Sequence, residues 1–323
     1  MTFYSVAVYL PEQEPFRALR SQGYHLVGRH SAVKTCHWAK EAIAGGEMCY
    51  KGKFYGISSH RCLQMSPAVA WCTNMCSFCW RLLPKEHGLD WDGARIPEED
   101  DPVELAEGAI RAHRKAVNGF KSHPKVTLER YGEAMAPNNV AISLSGEPTA
   151  YSKLDGLIGE FSRRGMTTFL VSNGTNPEAL GRLREPTQLY ISLGAPSEEV
   201  YRSVCRPTRE GSWESLMKSL SMLQSFRCPT VVRLTAAKGL NMIDPDGFAR
   251  IISSSMPTYV EVKAYMHVGF STTRLGYGCM PSHDEILAFA KELAARTGYE
   301  LVGDVPISRV ALLSRIGKAK KVA

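Results

Sequence analysis

The chain has 323 residues, of which 44% are hydrophobic and 22% are charged, and these are ordinary values for a folded globular protein. No run of about 18 apolar residues exists to span a membrane, and the N-terminal segment lacks the basic region of a secretory signal peptide. Nine cysteines, an odd number, favour metal ligands and free thiols in a reducing compartment over a disulfide framework. We therefore expect a soluble, cytoplasmic, monomeric protein with no membrane association. The formal net charge of +7 favours a polyanionic partner.

Three widely spaced cysteines follow a weakly patterned N-terminal extension. Cys36, Cys49 and Cys62 are each separated by 13 residues within a stretch rich in glycine and aromatic residues. Regular spacing across a loop-like segment indicates a three-ligand cluster site. Zinc is an alternative because His37 or His60 could complete a tetrahedron, and the cysteines could also be scattered small hydrophobic residues.

A second set of cysteines is much denser. Cys72, Cys76 and Cys79 follow an apolar run at 67–71, which predicts a short buried strand. Three thiolates can hold three irons of a [4Fe–4S] cluster and leave the fourth iron open, whereas a structural zinc site closes with a fourth ligand. A zinc knuckle and buried reduced thiols are the alternatives. The spacing, with Phe78 before the last cysteine, resembles the cluster loop of the radical S-adenosylmethionine (SAM) superfamily, whose open iron binds SAM.

The rest of the chain alternates between predicted helices and strands. A polar connection at 84–101 has an acidic end that is expected to cap a helix from Pro102 to about Gly119. From residue 139 onward, short apolar strands are separated by helices of 10 to 15 residues. The predicted strands are 139–145, 167–172, 188–193, 230–235 and 259–264, and the predicted helices are 151–164, 177–184, 212–225, 245–255 and 283–296.

Regular βα alternation predicts parallel strands joined by right-handed crossovers. With the strand before the dense cysteine loop there are about six βα units, so the predicted fold class is α/β, a partial (β/α)6 TIM-like barrel of the radical SAM type. The predicted domains are an N-terminal extension with the auxiliary-cluster cysteines (1–65), the barrel core (66–280), and a C-terminal helix with short strands and a basic tail (281–323).

Polar motifs follow the predicted strands at their carboxyl ends, where a parallel barrel carries its chemistry. Gly146, Glu147 and Pro148 follow the strand at 139–145. Gly146 would let the backbone approach a ligand closely, and the carboxylate of Glu147 could accept a hydrogen bond from an ammonium group. Ser172 and Asn173 begin a Ser-Asn-Gly-Thr motif. Each motif alone is also a common turn, but both resemble SAM-binding elements of the superfamily. Ser192, after the next strand, is a further predicted cofactor-binding residue.

Taken together, the motifs resemble the tRNA 4-demethylwyosine synthase family over residues 33 to 300. They are GEMCYKGKFYGISSHRC (ending at residue 62), WCTNMCSFCWR (71–81), SLSGEPT (143–149), VSNGT (171–175), SLGAPSEEVYRSVCRPT (192–208), VRLTAAKGLNM (232–242) and YVEVKAYMHVG (259–269). The form it resembles is the compact archaeal one without the flavodoxin-like domain of eukaryotic members. That form implies an external electron donor of the flavodoxin or ferredoxin type.

The resemblance implies a two-cluster lyase that converts 1-methylguanosine at position 37 of tRNA-Phe into 4-demethylwyosine with two carbons of pyruvate. Cys72, Cys76 and Cys79 would hold the SAM cluster, and the other triad would hold an auxiliary [4Fe–4S] cluster. Pyruvate could form a Schiff base with a lysine, for which Lys51 and Lys263 are the candidates and Lys51 is preferred, or it could chelate the open auxiliary iron. The alternative function is that of a radical SAM peptide maturase with an auxiliary cluster.

Overall fold

The computed structural model describes residues 14–87 and 93–322, and ten strands form one sheet at its centre. The strands are β1 (His25–Val27), β2 (Ser31–Val33), β3 (Cys62–Ser66), β4 (Asn139–Ile142), β5 (Thr167–Ser172), β6 (Gln188–Ser192), β7 (Thr230–Ala236), β8 (Tyr259–Ala264), β9 (Glu300–Val305) and β10 (Val310–Ser314). The helices are α1 (Phe16–Ser21), α2 (His37–Ile43), α3 (Tyr50–Tyr55), α4 (Pro102–Asn118), α5 (Leu128–Ala134), α6 (Leu154–Arg163), α7 (Pro177–Arg182), α8 (Glu198–Cys205), α9 (Ser212–Ser221), α10 (Pro245–Ser255) and α11 (His283–Thr297).

Six consecutive strands, β3 to β8, pair in parallel and in sequence order. Antiparallel strands extend both edges, with β2 and β1 beside β3, and β10 and β9 beside β8. The predicted partial (β/α)6 barrel is thus confirmed. Because the six strands are parallel, their carboxyl ends open onto one edge, and the motifs singled out in the sequence follow these ends.

Alternation along each strand separates two apolar layers. On β6, Leu189 and Ile191 pack against the outer helices, whereas Tyr190 lies in an inner cluster with Phe169 of β5 and Tyr259 of β8. This is the period of two that a pleated strand imposes on its side chains. The inner face therefore carries aromatic and polar residues, and the outer face carries aliphatic residues.

The inner cluster also contains a helix from the N-terminal extension. Tyr50, Phe54 and Tyr55 of α3 lie among the inner strand residues. The C-terminal tail packs on the same helix, because the Val322 amide donates to Tyr55 O at 3.0 Å, and the Lys320 amide donates to the hydroxyl of Tyr259 at 2.8 Å. The basic tail thus lies at the amino end of β8, remote in strand direction from the carboxyl edge.

The strand predicted at 67–71 is wrong. The strand before the dense cysteine loop is β3, which ends at Ser66, and the apolar run is a buried loop. Pro67 has no amide hydrogen for a ladder, and two of the following amides bond elsewhere: Ala68 N donates to Ser66 Oγ at 3.0 Å and Val69 N donates to His30 O at 2.9 Å. A short apolar run indicates that the segment is buried, but it does not distinguish a strand from a buried loop.

The other predicted strands and helices are found with boundaries shifted by a few residues, and the helix from Pro102 begins with Asp101 capping the amide of Val103. The segment before residue 14 and residues 88–92 of the polar connection lie outside the described residues. One sheet runs across both predicted domain boundaries, and the three-domain division stays a prediction. Among the described residues, no helix is long and apolar enough to cross a membrane.

Candidate active site

The dense cysteine loop is held in place by the end of α8. The amide of Met75 donates to the carbonyl oxygens of Cys205 and Arg206, both at 3.1 Å, and the amide of Ser77 donates to Val204 O at 2.9 Å. These carbonyls belong to the last turn of the helix and the residue after it, where acceptors have no partner within the helix. The loop thus takes its backbone shape from a helix more than 120 residues later in the chain.

Burial and mutual proximity raise the pKa of the three thiols in this loop. Burial is the largest cause for Cys72 and Cys79, and neighbouring thiols of the loop add to it; for Cys76 the first cause is a hydrogen bond with Cys205. Converging buried thiols are the donor set that an iron–sulfur cluster requires, and a bound metal would deprotonate them outright. These three residues therefore fit a cluster.

An arginine from the C-terminal part of the chain closes over this loop. Arg274 donates from its guanidinium to the carbonyl oxygens of Ser77, Cys79 and Arg81, and it forms an ion pair with Glu86. Only 8% of its side chain is exposed. No motif in the sequence marks this residue, because a single arginine in a loop has no pattern.

A cavity of about 200 Å³ adjoins the loop. Its wall includes all three thiol-bearing residues together with Ser145 and Gly146. Gly146 has φ of +66°, and a Cβ atom there would overlap the carbonyl oxygens of Ala68 and Trp71. Only glycine allows the backbone to approach the loop this closely, which accords with the interpretation of this residue as part of a cofactor cradle.

Glu147 joins two loops at this edge of the sheet through its carboxylate. Its Oε1 accepts hydrogen bonds from Thr149 N, Thr149 Oγ1 and Ser172 Oγ at 3.1, 2.8 and 2.7 Å, and its Oε2 accepts one from Asn173 N at 2.6 Å. The residue is 2% exposed, and burial raises its pKa. The carboxylate thus joins the loops after β4 and β5, and among the described residues its Oε2 accepts only the Asn173 amide.

Asn173 links this pair of loops to the cysteine loop. Its Nδ2 donates to Thr73 Oγ1 at 2.9 Å and lies 3.8 Å from the Cys72 sulfur, and its Oδ1 accepts from Thr175 N at 3.0 Å. Three segments that are far apart in sequence are therefore one hydrogen-bonded unit. Pro148 begins the short helical turn after Glu147, and Ser192 is the last residue of β6, at the same edge of the sheet.

The second cysteine triad converges although its members are 13 residues apart. Cys36 caps α2 by accepting from the amide of Ala39, Cys49 immediately precedes α3, and Cys62 begins β3. Burial raises the pKa of Cys49 to about 11, with Cys36 as the next cause, and burial followed by the two other thiols raises the pKa of Cys62. Each thiol therefore lies within electrostatic reach of the others.

One of the two histidines that could complete a zinc site with this triad, His60, is engaged elsewhere. Its Nε2 donates to Glu133 Oε2 at 3.0 Å, and its Nδ1 accepts from Arg130 Nη1 at 3.0 Å. Within residues 14–87 and 93–322, no three His, Cys, Asp or Glu side chains are grouped around a point where one metal ion would sit. A four-iron cluster places each thiolate on a different iron, so it fits thiols that are close without converging on one ion.

The two candidate lysines both lie at the inner face. Lys51, on α3, places Nζ 4.3 Å from the ring centroid of Tyr190 and 5.0 Å from that of Phe169, and only 7% of the residue is exposed. Burial, followed by the charge of Arg233, lowers the pKa of each lysine to about 8. The Nζ of Lys263 donates to Ser308 O at 2.9 Å, whereas no acceptor for the Nζ of Lys51 is found in the described part of the chain.

A buried polar network beside the lysines was not anticipated from the sequence. Glu261 of β8, which is 0% exposed, accepts from Tyr55 OH at 2.9 Å and from Tyr50 OH at 3.2 Å. Arg233 of β7 donates from Nε to the same carboxylate at 3.0 Å and from Nη2 to Tyr50 OH at 2.8 Å. In the sequence, Arg233 and Glu261 each interrupt an apolar strand, VVRLT and VEVKA. This pattern is the signal that could have identified them as buried polar residues.

Comparison with known proteins gives consistent matches. The radical SAM superfamily model matches residues 67–252, and the wyosine base formation model matches residues 254–315. The S-adenosyl-L-methionine-dependent tRNA 4-demethylwyosine synthase of Pyrococcus horikoshii is 46% identical over 94% of this chain and 89% of its own length. The protein of that name from Methanocaldococcus jannaschii is 41% identical over 94% and 96%. A solved structure of TYW1 with a lysine-pyruvate adduct bound has a TM-score of 0.85 and 38% identity over 94% of this chain and 95% of that one.

Proposed function

Because the chain belongs to the radical SAM tRNA 4-demethylwyosine synthase family, we propose that it converts 1-methylguanosine at position 37 of tRNA-Phe into 4-demethylwyosine with two carbons of pyruvate. The observation that carries the proposal is the joint arrangement of the dense cysteine loop, the Glu147 and Asn173 network, and a second cysteine triad next to a buried lysine. A peptide maturase, the alternative from sequence, has no such observation in its favour.

The proposed cofactors are SAM and two [4Fe–4S] clusters. Cys72, Cys76 and Cys79 would hold one cluster, and Cys36, Cys49 and Cys62 would hold the other. When bound, the first cluster and SAM supply a 5′-deoxyadenosyl radical that takes a hydrogen atom from the methyl group of the base. The electron comes from a separate donor of the flavodoxin or ferredoxin type, and we propose that the chain acts as a monomer.

The protein's own residues position these groups. Gly146 lets the backbone close on the cysteine loop, and Asn173 ties the loop to the end of β5. Glu147 acts as a positioning residue, since all of its described hydrogen bonds are made within the two loops. Oε2 of Glu147, which accepts only the Asn173 amide among the described residues, would also accept from the SAM ammonium group.

We assign the pyruvate-binding amine to Lys51. Its neutral amine would add to the carbonyl carbon of pyruvate and expel water, which gives an imine and consumes no other reactant. Lys51 directly follows Cys49 and Tyr50, so the imine would lie beside the second cluster. Lys263 is the weaker candidate because its amine already donates to a backbone carbonyl.

For the tRNA, we propose that the reacting guanine leaves the anticodon stack and meets an aromatic side chain near the cysteine loop. Tyr265, which follows β8, is 1% exposed and cannot stack on a base from outside. Trp80 and Tyr277 are 40% and 68% exposed, and the Arg81 guanidinium lies over the Trp80 ring. These two residues are the candidates that the structure leaves accessible.

The decisive experiment is anaerobic incubation with SAM, pyruvate, dithionite and tRNA-Phe that carries 1-methylguanosine, followed by mass spectrometry of the digested tRNA. We expect the mass of 4-demethylwyosine, with two labelled carbons when uniformly labelled pyruvate is supplied. A matched tRNA with unmethylated guanosine at position 37 should give no product. SAM cleavage without tRNA modification, or turnover of the unmethylated tRNA, would contradict the proposal.

A further inference from the structure

The dense cysteine loop ends in a buried arginine that has no carboxylate partner among residues 14–87 and 93–322. Arg81 is 7% exposed, and its guanidinium carbon lies 3.0 Å from the ring centroid of Trp80. Its Nη1 donates to the hydroxyl of Tyr24 at 2.8 Å, which is the one hydrogen bond that the guanidinium makes to the described residues. An arginine stays protonated at neutral pH, and a buried charge is costly unless an opposite charge meets it. Arg81 therefore requires an anion that the described carboxylates do not supply.

This arginine borders the place where the thiols of the dense loop meet. Arg81 lines the cavity of about 200 Å³ together with all three cysteines of that loop. Arg274 is a second arginine at the same loop, but its guanidinium is paired with Glu86. The charge of Arg81, in contrast, has only the thiol-bearing loop beside it to supply an anion.

Arg81 also lies close to the second triad. The guanidinium carbon of Arg81 is 6.0 Å from the ring centroid of Tyr24, and the Nζ of Lys34, two positions before Cys36, is 4.7 Å from the same centroid. Burial lowers the pKa of Arg81, and the Tyr24 hydroxyl is the largest opposing cause. The thiols of Cys79 and Cys36 come next and also oppose this shift. One thiol of each triad is therefore within electrostatic reach of the same guanidinium.

We propose that Arg81 is the shared counter-ion of the two iron–sulfur clusters and that its charge favours the reduced state of each. This inference rests on the proposed function and deepens it, because it assigns a role to a residue between the two proposed cluster sites. A one-electron reduction adds one negative charge to a cluster, so a fixed positive charge nearby stabilises the reduced form and raises the reduction potential. The electron comes from the external donor, and Arg81 itself gains and loses neither an electron nor a proton.

The test measures the reduction potential of each cluster separately, by electron paramagnetic resonance of anaerobic samples poised with dithionite and redox mediators. The triple alanine variant of either triad serves as a background that retains only the cluster of the other triad. In each background, Arg81→Gln removes the charge and Arg81→Lys keeps it. Arg250→Gln is the matched control, because this exposed arginine on α10 undergoes the same change in charge. Circular dichroism and iron content establish that each variant is folded and loaded.

We expect Arg81→Gln to shift the equilibrium between the oxidised and reduced clusters about 10-fold toward the oxidised form in both backgrounds, which is a fall of about 59 mV for a one-electron couple. Arg81→Lys should reverse most of this fall, and Arg250→Gln should leave both potentials unchanged. Unchanged potentials in Arg81→Gln, a fall in only one background, or a fall that Arg81→Lys does not reverse would overturn the shared role.

Iron content decides the case in which Arg81→Gln fails to fold or to load. Loading of Arg81→Lys to the iron content of the parent background would then support the role of the charge, and failure of Arg81→Lys to load would overturn it. A wild-type chain that binds only about four irons would instead contradict the proposal of two clusters.

Discussion

At the scale of single residues, the structure separates two lysines that look alike in sequence. Both are buried and near Arg233, yet only Lys263 has a described acceptor, the carbonyl oxygen of Ser308. Lys51 could be singled out from sequence only by its place two residues after Cys49. The acceptor of Lys263 could not be foreseen, because it lies 45 positions away in a turn between two antiparallel strands.

We predict that Lys51→Met abolishes the borohydride-trapped pyruvate adduct and that Lys263→Met retains it. The reason is that the Lys263 amine would have to give up its hydrogen bond to Ser308 O before attacking pyruvate, whereas the Lys51 amine has no such bond among the described residues. Labelled pyruvate and peptide mapping give the readout. The reverse pattern, with label lost in Lys263→Met and kept in Lys51→Met, would transfer the role to Lys263.

A second prediction concerns Glu147. In Glu147→Gln, one of the two oxygens becomes an amide nitrogen that faces a donor, because both oxygens of the native residue accept hydrogen bonds. We expect the free energy of unfolding to fall by about 2 kcal/mol and SAM binding to weaken. Urea denaturation and equilibrium dialysis measure these effects. Glu178→Gln, at an exposed site on α7, is the control and should leave stability nearly unchanged. Equal effects of the two substitutions would refute the positioning role.

At the scale of elements, the parallel strands and their following helices were predictable because hydrophobic period and turn residues agree in each unit. The short helices α2 and α3 were missed, and the edge strands β9 and β10 were predicted only as short C-terminal strands without bounds. A six-residue helix has too few turns to show a period, and its stability comes from tertiary contacts such as those of Tyr50 and Tyr55 with Glu261. The convergence of the second triad depends on these missed elements, so only its spacing could suggest it.

The two cysteine-bearing segments should load iron independently. We expect about eight irons per anaerobically reconstituted chain and about four in the triple alanine variant of Cys72, Cys76 and Cys79. The triple variant of Cys36, Cys49 and Cys62 should also hold about four. Replacing Cys228 with alanine is the control, because that thiol belongs to neither triad, and it should leave the iron content unchanged. A full complement of iron in either triple variant would remove that site from the proposal.

The contact between α4 and α5 gives a pH prediction. His113 is 1% exposed, with Nε2 at 2.9 Å from Ala134 O, and burial lowers its pKa below the ordinary value of 6.5. The unfolded chain therefore binds a proton here more readily than the folded one. Stability is full above pH 6.5 and falls as the pH drops from 6.5 toward the lowered folded-state pKa. His113→Gln should reduce this loss in urea denaturation at pH 5 to 7, whereas His123→Gln should not. An unchanged pH profile would contradict the role of this residue.

At the scale of the whole molecule, the basic residues differ in whether they are paired with carboxylates and in which end of the barrel they occupy. Arg163 and Arg164 both pair with Glu160, and the basic tail packs at the amino end of β8. Arg206 and Arg209, by contrast, flank Pro207, which bridges to Asn74 in the dense cysteine loop. Linear charge counting cannot distinguish these cases, because pairing and the end of the barrel are properties of the fold.

We predict that Arg206 and Arg209 carry phosphate contacts to tRNA. The logarithm of the association constant for tRNA should fall by about 0.7 to 0.9 per log unit of salt concentration for each phosphate contacted. The double variant Arg206→Gln with Arg209→Gln should therefore lower this slope by the equivalent of roughly two phosphate contacts. Lys318→Gln with Lys320→Gln, at the opposite end of the barrel, is the control with the same change in charge. Filter binding at several salt concentrations provides the measurement. Equal slopes for the two double variants would refute this placement.

The anchoring of α3 also constrains the order in which the chain can assemble. The hydroxyls of Tyr50 and Tyr55 bond to a carboxylate 211 and 206 positions later, and the tail that covers the helix lies at the very end of the chain. During synthesis from the N-terminus, the segment with Cys36, Cys49 and Cys62 is therefore complete long before its anchor exists. The hydrogen bonds that anchor the inner helix can form only after β8 has left the ribosome, and until then the segment with the second triad lacks this anchor.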